Sequence, residues 1–337
     1  MDEIVLSQPQ LLPKRVLVPP KVAVVVPCYR VKNHVLGVIG GVIELVDAVY
    51  VVDDACPEGT ADYVEASISH PNLRIIRLAE NQGVGGAVVS GYRQALLDGC
   101  DIVVKMDGDG QMDAKLLPLL VAPIIAGTAD YTKGNRFFEI YTLRPMPPVR
   151  ILGNSLLSFI NKISSGYWDV MDPTNGYTAI HRAALRRIPL DRLERRYFFE
   201  SDMLFRLGTI RAVVQDVPMP SIYGTEKSNM AVWRIAMSFP SKYFVRFLKR
   251  FFYVYLLRDF NVGSLETVLG LCAVIGGVIF GAAKWSAFSQ EQANAPAGVV
   301  MLSALPIILG FQLLLNALTF DIANRPKVAL QSLPDEQ

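Results

Sequence analysis

Three carboxylates, Asp107, Asp109 and Asp113, crowd the stretch VVKMDGDGQMD at residues 103–113. The residues just before them are apolar and β-branched, so a buried strand is expected to end abruptly in negative charge. Asp107 and Asp109, with one glycine between them, can turn both carboxylates toward one point. Gln111 adds an amide oxygen two residues on. Hard oxygen donors of this kind suit Mg²⁺ or Mn²⁺, which keep some water and bridge to substrate phosphates. Taken alone, a D-x-D can equally be an ordinary acidic turn.

A second acidic pair, Asp53 and Asp54, ends another apolar run. Carboxylates there can accept from a base N–H and from ribose hydroxyls, while one of the two could instead cap the helix starting near Thr60. Gly83, Gly85 and Gly86 in NQGVGGAVVSGYRQAL let the chain enter a helix close to a ligand or to a sheet. The position for a third fingerprint glycine holds Val88, so a dinucleotide-binding G-x-G-x-x-G is not supported. Lys133 and Arg136 in YTKGNRF supply cations suited to a phosphate or diphosphate, or to a surface ion pair. His181, in AIHRAAL, reads as a residue that caps or packs a helix.

These residues need a frame. Residues 22–27, 48–53, 73–78 and 101–106 are short, β-branched and almost continuously apolar, as strands buried on both faces of a parallel sheet are. Helix-length segments 33–45, 60–69 and 83–98 lie between them, the last stopping at Gly99. The alternation predicts an α/β fold with a doubly wound, mostly parallel sheet. Ligands gather at the carboxyl ends of such strands, and the 27–30, 53–60 and 107–111 segments all fall there.

The second half changes character. Residues 232–260 mix aromatics with Arg234, Lys242, Arg246, Lys249, Arg250 and Arg258, which predicts an amphipathic segment lying on a membrane surface. Two apolar stretches follow, 262–285 and 297–320, each long enough for a membrane-spanning helix. Arginine and lysine flank the pair and, Lys284 apart, avoid the loop between, so both ends of the chain are expected in the cytoplasm. Gly277 and Gly281 make a small-xxx-small pair, a face on which copies of the chain could associate. The overall figures agree with a membrane protein: 51% of the 337 residues are hydrophobic, and the mean hydropathy is +0.31. A net charge of +2 gives no case for nucleic acid. Four scattered cysteines suggest neither a disulfide framework nor a zinc site. The first 20 residues are predicted to be a flexible arm rather than a signal peptide.

Read in order, VVVPCYR, VVDDACPEGT, NQGVGGAVVSGYRQAL, VKMDGDGQ, YTKGNRF, DPTNGYTAIHRAAL and FFESDMLFRL resemble a family-2 glycosyltransferase with a GT-A catalytic domain. The closest resemblance is to the polyprenyl-phosphate branch, which includes the dolichol-phosphate mannose synthases and the bacterial enzymes that load glucose onto undecaprenyl phosphate. It covers about residues 20–230. The implied layout is a flexible arm (1–20), a GT-A domain (21–230), a juxtamembrane amphipathic segment (231–260), transmembrane helices (262–285 and 297–320) and a cytoplasmic tail (321–337). The setting implied is a bacterial inner membrane.

The resemblance implies that Pro27 and Tyr29 line the base pocket, and that Asp54 with Asp53 holds the base or ribose. Gly83 lies beside the donor. Asp107 contacts ribose or metal, Asp109 ligates the metal and Gln111 assists. Lys133 joins the donor contacts and Arg136 meets a phosphate. Asp172, Thr174, Asn175 and Gly176 shape the sugar and acceptor cleft, while Glu200 and Asp202 stand near the reacting centre. Lys227 and Ser228 belong to a loop over the diphosphate. The implied partners are a nucleotide-sugar donor, a polyprenyl phosphate acceptor and the bilayer. Arg30 and Val31 replace the Asn-Glu pair of many mannose synthases, which favours a UDP-sugar. With no Q-x-x-R-W, a processive polysaccharide synthase is disfavoured. The alternative acceptor is a hydroxyl group, for which Asp202 would act as general base.

Overall fold

The computed structural model describes residues 19–138, 148–220, 232–291 and 293–333. Seven strands form one sheet: β1 (Val22–Cys28), β2 (Ala48–Asp53), β3 (Leu73–Arg77), β4 (Ile102–Lys105), β5 (Tyr131–Asn135), β6 (Thr178–His181) and β7 (Val214–Pro218). Their order across the sheet is β3-β2-β1-β4-β6-β5-β7. Every neighbouring pair is parallel except those of β6, which runs against both β4 and β5. The sheet is therefore mixed but mostly parallel. β1, β2 and β4 are buried almost throughout, which is why their sequences show no alternation of apolar and polar residues.

Helices cover both faces. α1 (Val35–Val42), α2 (Thr60–Ser67) and α4 (Leu117–Ile125) close one side; α3 (Val84–Leu97), α6 (Arg182–Arg187) and α7 (Phe199–Thr209) close the other. α5 (Pro148–Ser165) packs on α7 and on α8 (Val232–Arg250). His181 caps α6, its Nδ1 accepting from the Ala183 N–H at 3.2 Å. Because β6 is antiparallel, its start lies beside the carboxyl ends of β4 and β5. The turn 172–177 that feeds it is thereby delivered to the same rim as Asp107 and Arg136.

α8 continues as a wider π-helical stretch over Phe251–Arg258, then α9 (Val262–Gln290) and α10 (Ala297–Ala323) form a hairpin. Asn261 and Ser264 cap α9 reciprocally, each side chain accepting from the other's backbone N–H. α9 extends past the predicted end at 285, so the connection to α10 is shorter than its polar sequence suggested. Both helices are long and apolar enough to cross a membrane. Their apolar windows are only 11% and 6% buried, unlike helices in the core of a globule. Gly263, Gly270 and Gly277 repeat every seven residues along α9. A Cβ at Gly270 would lie 2.9 Å from the Gly310 carbonyl oxygen of α10, and one at Gly277 would lie 2.9 Å from that of Ser303. A Cβ at Gly281 would strike the Ser303 hydroxyl. The Gly277/Gly281 face, expected to be available to a second copy, is thus filled by the chain's own α10.

Past α10 the chain returns to the sheet domain. Leu330 joins the core between the sheet and α3, α6 and α7. The N–H groups of Leu330 and Gln331 donate to Asp130 at 2.9 and 3.2 Å. Asp130 is fully buried and also accepts from the Val213 N–H. The segment expected as a plain cytoplasmic tail is, over 329–332, part of the domain's packing.

Candidate active site

The rim at the carboxyl ends of the parallel strands holds most of the expected residues. β1 leads into Tyr29, which is 43% exposed, and Arg30, whose φ of +57° turns the chain and sets its guanidinium 5.4 Å from the Tyr29 ring centre. Pro27 lies behind them; a Cβ on Gly108 of the acidic loop would sit 3.3 Å from its carbonyl oxygen. The DGDG loop therefore adjoins the aromatic wall expected for a nucleotide base.

Asp53 and Asp54 play parts that sequence reasoning did not assign to both. Asp53 accepts from the N–H groups of Cys56 and Ala61 at 2.7 and 2.8 Å, holding the loop and the first turn of α2. Asp54 accepts from the N–H groups of Gln82 and Gly83 at 2.7 and 2.8 Å. Burial raises its pKa, and those two bonds partly oppose the rise. Both carboxylates brace the loops that frame the rim. Gly83 and Gly85 make their close approach to the chain's own backbone, not to an open ligand space. A Cβ at Gly83 would lie 2.6 Å from the Arg195 oxygen, and Gly85 donates to that oxygen at 2.8 Å.

The centre of the rim is a charge cluster. Lys105, the last residue of β4, is 1% exposed, yet its ammonium reaches three oxygens. It donates to Asp107 Oδ1 at 2.7 Å and to the Gly176 carbonyl at 3.3 Å, and it pairs with Glu200 Oε1 at 3.1 Å. Burial disfavours the charged lysine, but Asp107 and Glu200 outweigh burial and raise its pKa. A Cβ at Gly176 would lie 2.5 Å from both Asp107 Oδ2 and Lys105 Nζ, so only glycine leaves that oxygen uncovered. Asp109, two residues on, accepts from the Gln111 N–H at 3.0 Å in a tight turn, and Gln111 itself is exposed. Lys105 is absent from the sequence-based site. The clue was a lysine in an otherwise apolar strand, which needs a partner if buried.

Beside this cluster, Lys133 lies in register with Thr178 of β6 and Asp216 of β7, so all three point to one face of the sheet. Its ammonium donates to the Asn175 carbonyl, and burial pushes its pKa down to about 8 despite Glu200 and Asp172. Asn175 is buried and binds the Gly134 carbonyl and the Tyr177 N–H. Arg136 grips Asp172 with two prongs, at 2.7 and 3.1 Å, and lies 3.5 Å from the Thr174 hydroxyl. Asp172 is fully buried and holds the guanidinium through both of its oxygens.

Asp202 is fully buried, and both its oxygens are occupied. Arg246 of α8 binds its Oδ1 at 2.9 Å; Arg206 and the Glu194 N–H bind its Oδ2 at 2.9 and 3.1 Å. Residues i and i+2 of a helix face different directions, so Glu200 points into the cluster while Asp202 ties α7 to α8. Three of the juxtamembrane cations turn inward. Lys242 and Arg246 pair with Glu194 at 2.7 and 2.8 Å, and Arg250 pairs with Asp321. The exposed side chains there are the apolar Phe244, Leu248, Phe252, Leu257 and Phe260 together with Lys249 and Arg258, so the segment's outer face mixes apolar and basic groups. Lys227 and Ser228 lie outside the described residues.

Comparison with known proteins gives the family and the fold. The family model for glycosyl transferase family 2 matches residues 23–189. The undecaprenyl-phosphate mannosyltransferase of Micrococcus luteus is 33% identical over 173 residues, covering 51% of this chain and 70% of that one. The chain belongs to glycosyl transferase family 2. A second relative of this transferase is the UDP-N-acetylglucosamine–dolichyl-phosphate N-acetylglucosaminyltransferase of Methanococcus voltae, 31% identical over 52% of this chain and 68% of that one. Both relatives carry the polyprenyl-phosphate specificity that the motifs resemble. In fold, the transferase matches the glucosyl-3-phosphoglycerate synthase of Mycobacterium tuberculosis with a TM-score of 0.51 at 20% identity. The match covers 68% of this chain and 80% of that one, and it establishes the GT-A architecture.

Proposed function

We propose that the transferase moves a sugar from a nucleotide-diphosphate sugar, a UDP-sugar by preference, to a polyprenyl phosphate at the cytoplasmic face of a membrane. One observation carries this reading: the charged rim stands on a domain clamped to an exposed apolar helix hairpin. Asp321, near the end of α10, accepts from Trp168 Nε1 at 2.8 Å, from Arg250 and from the Tyr255 hydroxyl. The catalytic domain, the juxtamembrane segment and the hairpin meet there. A polyprenyl chain stays in the bilayer, so an enzyme acting on its phosphate must hold its cleft at that surface. With residues 329–332 packed on the domain, both ends of the hairpin lie on the catalytic side, in keeping with the positive-inside pattern.

The residues fit a divalent ion. Among the described residues no group of three or more His, Cys, Asp or Glu side chains forms a complete cage. Asp107, Asp109 and Gln111 lie on one loop and carry hard-oxygen donors of the kind that suit an ion sharing its shell with water and phosphates. Those residues would hold Mg²⁺ or Mn²⁺, which supplies charge neutralisation to the departing diphosphate.

An oxygen of the acceptor phosphate attacks the anomeric carbon as the bond from that carbon to the nucleotide diphosphate breaks, with inversion. The diphosphate leaves with the bonding pair. Tyr29 and Pro27 bound the base, and the loops braced by Asp53 and Asp54 hold the donor's approach. Lys133 and Arg136, the latter aimed by Asp172, bring positive charge to the phosphates, with Thr174, Asn175 and Gly176 shaping the cleft. Lys227 and Ser228 are assigned to the same donor. The acceptor oxygen is already anionic, so positioning outweighs proton removal. The hold of Arg246, Arg206 and the Glu194 N–H on Asp202 favours this reading over a hydroxyl acceptor with Asp202 as general base.

The test is transfer of labelled sugar from a panel of nucleotide-sugars to undecaprenyl phosphate with Mn²⁺ or Mg²⁺ present. Asp109→Ala should cut turnover by about a hundredfold or more. Full activity in that variant, or no label entering the lipid with any donor, would overturn the reading.

A further inference from the structure

We infer that Lys105 is a built-in counter-cation of the metal site: it holds Asp107 and Glu200 in place and lowers the rim's affinity for the metal while setting the geometry for turnover. The inference rests on the functional reading above and adds a residue to it. The warrant is geometric. An ammonium has three protons, and here three oxygens from three separate segments surround it: Asp107 of the β4 loop, Glu200 of α7 and the Gly176 carbonyl before β6. Such a group cannot swing toward a substrate without leaving two carboxylates unneutralised in a mostly buried position.

Two consequences follow from charge and shape. With Asp107 Oδ1 held by Lys105, only Oδ2 of that residue faces the space beneath Gly176. Asp107 Oδ1 is then a weaker ligand than Oδ2, which favours Asp109 as the principal metal carboxylate. The formal charge of Asp107, Asp109, Glu200 and Lys105 together is that of two anions. Removing the lysine adds one unit of negative charge beside the ion; removing the charge of Glu200 subtracts one. A residue that merely fills space would weaken metal binding when replaced, or leave it unchanged. A counter-cation gives opposite signs for the two replacements.

The full chain in detergent, saturated with UDP, is titrated with Mn²⁺ while free Mn²⁺ is followed by its electron paramagnetic resonance signal. Lys105→Met should bind Mn²⁺ about fivefold more tightly than the parent chain. Its sugar turnover should nevertheless fall by about a hundredfold, with KM for the donor changing far less. Glu200→Gln should bind Mn²⁺ about fivefold more weakly. Lys105→Arg, which keeps the charge, should stay near the parent's Mn²⁺ affinity and recover part of the turnover. Unchanged or weaker Mn²⁺ binding by a folded Lys105→Met chain overturns the inference. Should that variant fail to fold, Lys105→Gln, which keeps a hydrogen-bond donor without the charge, decides: tighter Mn²⁺ binding supports the inference, and unchanged or weaker binding overturns it. A parent chain that binds no Mn²⁺ with UDP present overturns the metal assignment beneath it, a result distinct from the other two.

Discussion

Lys105 and Lys133 lie in register with the same residue, Thr178, and burial treats them differently because of their partners. Lys105 has two carboxylates in contact; Lys133 has a carbonyl oxygen, with acids only at longer range. Burial therefore pushes Lys133 down to about 8 from 10.5. Between those two values the unfolded chain binds a proton that the folded chain does not, so stability rises with pH across that window. Below about 8 the lysine is charged in both states and its burial cost is fully felt. Lys133→Met should remove this rise, read as a flatter unfolding midpoint between pH 8 and 10 in denaturant titrations. A variant with the parent's slope would show that the lysine is not the group titrating. The same property suits the proposed role, since an ammonium with a costly charge gains most from a phosphate nearby.

At the scale of elements, α7 divides its acids between two tasks. Glu200 belongs to the rim, while Asp202 and the nearby Glu194 hold α8 through Arg246. Removing one partner of a buried ion pair strands the other. Arg246→Met should therefore cost about 3 kcal/mol of stability. Glu200→Gln, which takes a carboxylate from buried Lys105, should lower both stability and turnover, whereas Arg246→Met should leave the turnover of the folded chain nearly unchanged. Urea unfolding and sugar-transfer rates of both chains in detergent check the split, and equal losses of turnover would contradict it. The returning segment is a second such element. Removing residues 329–337 would leave Asp130 with the Val213 N–H but without Leu330 and Gln331. A loss of about 3 kcal/mol is expected, seen as a lower melting temperature of the catalytic domain, because a buried carboxylate loses its donors. An unchanged melting temperature would mean that water replaces them at no cost.

For the whole molecule, the glycine seam between α9 and α10 sets how the hairpin stands. Between apolar helices in lipid, close packing replaces the hydrophobic effect as the cohesive force. Gly277→Leu should push the helices apart at Ser303, where the missing Cβ now allows contact. Cysteines placed at 281 and 303 should cross-link readily in the parent sequence and poorly beside that substitution; equal yields would refute the seam. The hairpin reaches the domain through Asp321, with its Trp168, Arg250 and Tyr255 partners, and through the tail that follows. These contacts tie the apolar hairpin to the domain that carries the rim, as the proposed action at a lipid surface requires.

Much of this was written locally. Apolar β-branched runs specify buried strands, and the period of the pattern separates them from helices, so β1 to β4 and the helices between them were legible. So were the two long apolar stretches, the run of acids after β4 and the family resemblance that its order of motifs carries. Contacts between segments far apart in the chain were not legible. Lys105 meets Gly176 because antiparallel β6 brings its preceding turn back to the rim, and it meets Glu200 because α7 packs on the sheet. Asp202 and the α8 arginines read as catalytic and membrane-seeking groups until packing turned them toward one another. Local sequence dictates which elements form because burial and hydrogen bonding act along neighbouring residues; the partners of each charge are chosen by the fold, which alone decides which side chains share a buried space.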